Sequence, residues 1–257
     1  MTWLLPVACA AAAGLGGFLV PWLVGRLPEP VPRDTASEQP EEDEGDGDPA
    51  EEPEADPEPP KIPYAELATR PGLGWRSALA GAVAGAIIGA SVGPDWWLVV
   101  LVPLVPVCVA LSFIDWHTKL LPTRLVLPAT AYALVAVVVG WAVTQQTDDL
   151  VRALLGLVVA RSFFWVLWFI HSAGMGFGDV RLAALLGVGL GHLGWAELLT
   201  GMYAGFLVFG LPGVLLAIVR RDRRLLRTAF PFGPFMLLGA LVGVVTGPWI
   251  ASYLAWG

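Results

Sequence analysis

The sequence predicts an all-α, polytopic membrane protein with about eight transmembrane helices. Three observations lead there. Of 257 residues, 56% are hydrophobic and only 14% are charged, which is too apolar for an ordinary soluble domain. The apolar residues gather into runs close to the ~20 residues that a bilayer-spanning helix needs. The bases between those runs fall almost entirely on one side of the implied membrane.

The first span, over 3–25, lacks a basic stretch ahead of its apolar core, so it reads as a retained helix rather than a cleavable signal. Residues 1–27 are accordingly assigned to a first transmembrane helix, 28–62 to an acidic loop and 63–257 to a membrane-embedded core. The loop holds 14 of the 22 acidic residues and only Arg33 and Lys61 as bases. Its Glu, Asp, Pro, Gly, Ala and Ser composition cannot bury enough surface to offset ordering, so a disordered cytoplasmic loop is expected. Docking to a basic partner, or metal capture by Glu41-Glu42-Asp43-Glu44, is the functional alternative to a solvated spacer. Without this loop the count is 13 bases against 8 acids, so the net charge of −7 hides a mildly basic membrane body.

The remaining spans are read at 77–94, 96–114, 125–144, 150–171, 180–194, 196–219 and 234–256, the sixth being short and glycine-rich. Trp96, Trp97, Trp141, Trp195, Trp249 and Trp256 lie near span ends, as interface anchors do. Arg26, Arg70, Arg76, Lys119, Arg124, Arg181, Arg220, Arg221, Arg223, Arg224 and Arg227 fall on one side, which the positive-inside rule makes cytoplasmic. Only Arg152 and Arg161 fall elsewhere. Arg161, inside the fifth span, could pair with a carboxylate, face a wet cavity or bond helix-end carbonyls. Cys9 and Cys108 both sit in apolar runs and read as small buried residues. They form no CxxC pair, so neither a metal site nor a cofactor is expected.

Two aspartates stand out. Asp179 ends the glycine cradle Gly174-Met175-Gly176-Phe177-Gly178, between two apolar runs. Asp115 closes another run, ahead of His117, Lys119, Leu121 and Pro122. Carboxylates at such positions are expensive, which invites a functional explanation. The topology count puts both at the cytoplasmic face. Two carboxyl groups sharing a site cannot both ionise easily: one could activate water while the other polarises a peptide carbonyl. They should then approach within roughly 10 Å, since one water must bridge them. Gly174, Gly176 and Gly178 would permit unusual backbone conformations and close approach of another chain. From spacing alone, Asp179 reads equally as the cap of the next helix. Lys119 could tune Asp115, although a snorkelling lysine suits that position as well. His171 could act similarly on the glycine loop.

Three segments together resemble the type IV prepilin peptidase family of GxGD-type intramembrane aspartyl proteases. The first is Phe113-Ile114-Asp115 with Leu121-Pro122 and Leu125-Val126-Leu127-Pro128. The second is Gly174 through Asp179 with Val180-Arg181-Leu182-Ala183-Ala184-Leu185-Leu186-Gly187. The third is Phe230-Pro231-Phe232-Gly233-Pro234-Phe235. A weaker match joins Gly16-Gly17-Phe18 to Arg26-Leu27-Pro28. The resemblance implies a GxGD protease architecture in the cytoplasmic membrane. It implies cleavage of the basic leader from prepilins or pseudopilins at the cytoplasmic face, with Asp115 and Asp179 as the catalytic pair. It also draws Pro231, Gly233 and Pro234 toward the substrate, where physics alone reads a helix start with proline in its first turn. Membrane lipid is the other expected partner, and nucleic acid is not expected.

Two departures matter. Thr123 stands where many members carry another aspartate. Bifunctional members carry two CxxC pairs between their first two helices, whereas residues 28–62 contain no cysteine. N-methyltransferase activity is therefore not expected. A cation- or proton-coupled transporter using the same aspartates is the competing reading. It should show an inverted repeat with interrupted midplane helices, and none is visible.

Overall fold

A computed structural model describes residues 3–29, 62–170, 175–220 and 231–254, with side chains described in all of these but 212–220. Most of the expected acidic loop, together with His171, Gly174, Arg221, Arg223, Arg224, Arg227 and Trp256, lies outside the described residues. Among the described residues the chain forms ten helices and no strand: α1 (Leu4–Gly17), α2 (Val20–Gly25), α3 (Tyr64–Ala68), α4 (Leu73–Val92), α5 (Leu98–Thr118), α6 (Thr123–Thr144), α7 (Thr147–Ile170), α8 (Phe177–Leu193), α9 (Trp195–Arg220) and α10 (Gly233–Leu254).

The protein is thus all-α and polytopic. Six stretches are long and apolar enough to cross a membrane: Leu4–Gly25, α4, α5, α6, α7 and α10. The two other expected spans also form helices, α8 and α9. The described apolar part of α9 covers Trp195–Leu211. At ~1.5 Å per residue, α8 with its 17 residues reaches only about 25 Å. Burial explains its brevity. Val180, Leu182, Ala183, Leu185, Val188 and Leu190 are all buried, and α8 packs against α6, α7, α9 and α10. A helix enclosed by others need not match the bilayer by itself.

Proline sets the break between α1 and α2. Pro21 has no N–H to give the carbonyl of Gly17, and its ring crowds that carbonyl, so the helix resets at Phe18–Leu19. Small residues set the closest pairings. A Cβ on Gly17 would lie 2.5 Å from the Ser77 carbonyl oxygen, and one on Gly85 would lie 2.5 Å from that of Cys9, so α1 and α4 touch backbone to backbone. Gly156 and Gly187 meet the same way between α7 and α8, each 2.5 Å from the other's carbonyl. Without water to expel, such packing is what holds membrane helices together.

Two expectations change. Trp97 is not an interface anchor. It is fully buried, stacks on His192 with ring centroids 4.0 Å apart, and donates its indole N–H to the Gly189 carbonyl at 3.2 Å. Arg161 is exposed on the outer face of α7 and makes no hydrogen bond or ion pair among the described residues, so neither bonding role expected for it is seen. The helix-end role belongs to Arg152, which donates to the Gly191 and His192 carbonyls at 2.9 and 2.7 Å and pairs with Asp149. Its partner was hidden because the α8 carbonyls lie about 40 residues away in the chain.

One short element was not foreseen. Glu29 accepts hydrogen bonds from the backbone N–H groups of Tyr64 and Ala65, at 2.9 and 3.1 Å. It caps α3 from across the acidic segment. Tyr64 and Leu67 then bury against Val20, Val24 and Ile114. This small cluster steadies the end of α5 that carries Asp115.

Candidate active site

Asp115 lies inside the last turn of α5, which runs one helical turn beyond the expected span end at residue 114. The helix continues because its last turn is capped locally. Thr118 returns its hydroxyl to the Ile114 carbonyl at 2.8 Å, and His117 Nδ1 meets the Phe113 carbonyl at 2.8 Å. Lys119 closes the helix in the left-handed region (φ 53), its N–H donating to the Asp115 carbonyl at 2.8 Å. The Lys119 side chain is exposed, as a snorkelling lysine would be. The Asp115 carboxyl turns inward and is 4% exposed.

The hydrogen bond that fixes it comes from α10. The N–H of Gly233 donates to Asp115 Oδ2 at 2.9 Å. The local sequence explains why that donor is free. Gly233 opens the helix, Pro234 has no N–H, and the Phe235 and Met236 N–H groups both return to the Phe232 carbonyl. Phe232 anchors the segment among Phe164, Phe206 and Phe209. A helix start with proline in its first turn and contact with the site are therefore one arrangement.

Asp179 occupies the third position of α8 and is 6% exposed. Its Oδ2 accepts the Gly176 N–H at 3.2 Å, while the Gly176 carbonyl accepts the Asp179 N–H at 3.0 Å. The capping role suggested by spacing is real, and it uses only one carboxylate oxygen. Among the described residues each aspartate side chain has a single hydrogen bond, from a backbone N–H. Among the described residues one oxygen of each carboxylate has no hydrogen-bond partner.

Leu121 lies between the segments that carry the two aspartates. A Cβ on Gly178 would lie 2.8 Å from Leu121 Cβ. A Cβ on Gly233 would lie 2.8 Å from Asp115 Oδ2 and 3.5 Å from Leu121 Cδ1. The starts of α8 and α10 and the end of α5 therefore converge on one leucine. The glycine rationale changes accordingly. Neither Gly176 nor Gly178 has a positive φ. Gly178 is needed for close approach, whereas a Cβ on Gly176 would find only an ordinary contact, 3.7 Å from Asp179 Oδ2.

Sequence reasoning missed the role of Arg181. Its guanidinium donates to the Thr123 hydroxyl at the start of α6 and lies 4.9 Å from the Phe177 ring centroid. The departure at Thr123 thus still carries a polar contact, one that ties the starts of α6 and α8 beside Leu121. Among the described residues no three His, Cys, Asp or Glu side chains cluster as a metal site would require.

Comparison with known proteins matches residues 102–219 to the type IV leader peptidase family. That match contains Asp115 and Asp179 and ends before Pro231. Curated relatives named prepilin leader peptidase/N-methyltransferase align with the chain. The one from Pseudomonas putida is 34% identical over 150 residues, 58% of this chain and 50% of the relative. The one from Aeromonas hydrophila is 30% identical over 163 residues, 63% and 54% of the two chains. The one from Escherichia coli K12 is 32% identical over 149 residues, 57% and 59%. The chain spans about half the length of the curated relatives it matches. No solved structure matches it.

Proposed function

We propose, from the match of residues 102–219 to the type IV leader peptidase family, that this protein is a membrane aspartic endopeptidase that removes the leader from type IV prepilins or pseudopilins. The observation that supports the proposal most is the convergence on Leu121 of the segments that carry two buried aspartates, each carboxylate accepting one backbone N–H. Two such groups at one site hold a single proton between them more easily than two charges. The ionised group takes a proton from a water, and the resulting hydroxide adds to the scissile carbonyl. The protonated group hydrogen-bonds to that oxygen and then returns a proton to the leaving amine. Gly176 and Gly233 orient the pair through their N–H groups. Acid and base belong to the pair rather than to either residue.

The distribution of bases supports a cytoplasmic orientation for this end of α5, α8 and α10, in the inner membrane. The absence of cysteine from residues 28–62 supports peptidase action without N-methylation. The test is to mix the purified protein with a leader-bearing prepilin and S-adenosylmethionine, then weigh the product. The proposal predicts a mature pilin with an unmodified N-terminal amine. An uncut substrate would defeat the peptidase assignment, and a methylated product would defeat the restriction to one activity.

A further inference from the structure

We infer that the groove between α4 and α5 is a binding site for a single anionic phospholipid. A cavity of about 720 Å³ opens there, between two of the membrane-length helices. Its volume lies in the range of small-molecule sites. Arg70 and Arg76 stand at one end, and Leu73, Val109, Phe113 and Trp116 form its apolar walls. Such a site asks for a ligand with a negative head and an apolar tail.

Position selects the lipid over a peptide. Ser112, Phe113, Trp116 and His117 line the groove with Pro234 of α10, whereas Asp115 is not among its lining residues and its carboxylate accepts the Gly233 N–H. The groove instead opens beside Trp75, Leu79 and Trp116, which are 56%, 58% and 56% exposed in a protein that sits in lipid. The Arg76 guanidinium lies 5.5 Å from the Trp75 ring centroid, and Arg26 lies 4.2 Å from that of Trp22 on neighbouring α2. Tryptophan paired with arginine at one end of several spans marks the headgroup level. Among the described residues neither Arg70 nor Arg76 has an ion-pair partner, the sole pair being Arg152 with Asp149. Two guanidinium groups suit a phosphate, and they favour a lipid whose phosphate charge is not offset by an amine.

Delipidated full-length protein titrated with phosphatidylglycerol or phosphatidylcholine, read by native mass spectrometry, tests this. One adduct should form, with phosphatidylglycerol preferred by about thirtyfold if each arginine contributes as a basic residue at a membrane surface does. Arg70→Gln with Arg76→Gln should bring the two lipids within about threefold. Equal affinity in the wild type, or an undiminished preference in the double variant, would overturn the proposal. Ala80→Trp tests the apolar half separately by filling the groove, and it should abolish the adduct. A photoactivatable phosphatidylglycerol keeps the question open to the unaltered protein. Labelling of Ser77–Ala80 or Val109–Phe113 is expected. Labelling elsewhere, or displacement of the lipid by leader-bearing substrate, would contradict it.

Discussion

Replacing Gly178 by alanine adds one methyl group at the point where Asp179 is positioned. The new Cβ would lie 2.8 Å from Leu121 Cβ, 3.4 Å from its Cδ1 and 3.5 Å from its Cγ. Carbon atoms pack at about 3.5–4.0 Å, so the closest contact is short by about 0.7 Å. Leu121 Cβ is fixed to the backbone and cannot rotate away, so the first turn of α8 must move, taking Asp179 with it. A displacement near 1 Å in a catalytic constellation costs about 10²-fold in rate. Stability should change less. Overpacking costs about 1–3 kcal/mol, and alanine regains about 1 kcal/mol over glycine in a helix. A net loss of at most about 2 kcal/mol leaves most of a marginally stable protein folded. The assay is leader cleavage with purified variants beside a thermal melt. Gly178→Ala should lose about 10²-fold in kcat/KM, and Gly176→Ala should stay within about threefold, since its Cβ finds only an ordinary contact. Leu121→Ala should not rescue Gly178→Ala because its Cβ remains, whereas Leu121→Gly should. Wild-type cleavage by Gly178→Ala, or equal losses at Gly176 and Gly178, would refute the reasoning.

Further outcomes follow from the same geometry. Gly233→Ala puts a methyl 2.8 Å from Asp115 Oδ2, so it should displace that carboxylate and cost about 10²-fold in cleavage, measured by kcat at saturating substrate. Thr123→Asp should turn the Arg181 hydrogen bond into an ion pair, adding up to about 1 kcal/mol and raising Tm by about 2–4 °C; a lower Tm would contradict the contact. Trp97→Ala should destabilise by about 3–5 kcal/mol in a thermal or denaturant melt, since it removes a fully buried ring and its bond to Gly189.

What could be read from the chain was what leaves a local trace. Apolar runs gave the helices, and the placement of bases gave a common side to Asp115 and Asp179. The segment opening α10 was identified, yet its link to Asp115 spans 118 residues and has no local signature. The same holds for Glu29 capping α3, Arg181 meeting Thr123, and Trp97 stacking on His192. Each is a pairing of residues that only the helix packing brings together. The glycines show another limit. Gly176 and Gly178 look alike in the motif, but only the position of Leu121 reveals that Gly178 is there for space. Arg161 was the natural suspect as a lone charge inside a span, and the helix-end bonds instead belong to Arg152, nine residues earlier.

The central claim is that Asp115 and Asp179 act as one unit, and single-turnover cleavage by Asp115→Asn, Asp179→Asn and the double variant tests it most directly. If the two carboxyls share one task, each single variant should lose nearly all cleavage above background, and the double variant should lose no more than either. Folding is monitored by the thermal melt of each variant. Full cleavage by either single variant, or losses that multiply in the double variant, would show that the two aspartates do not form a catalytic pair.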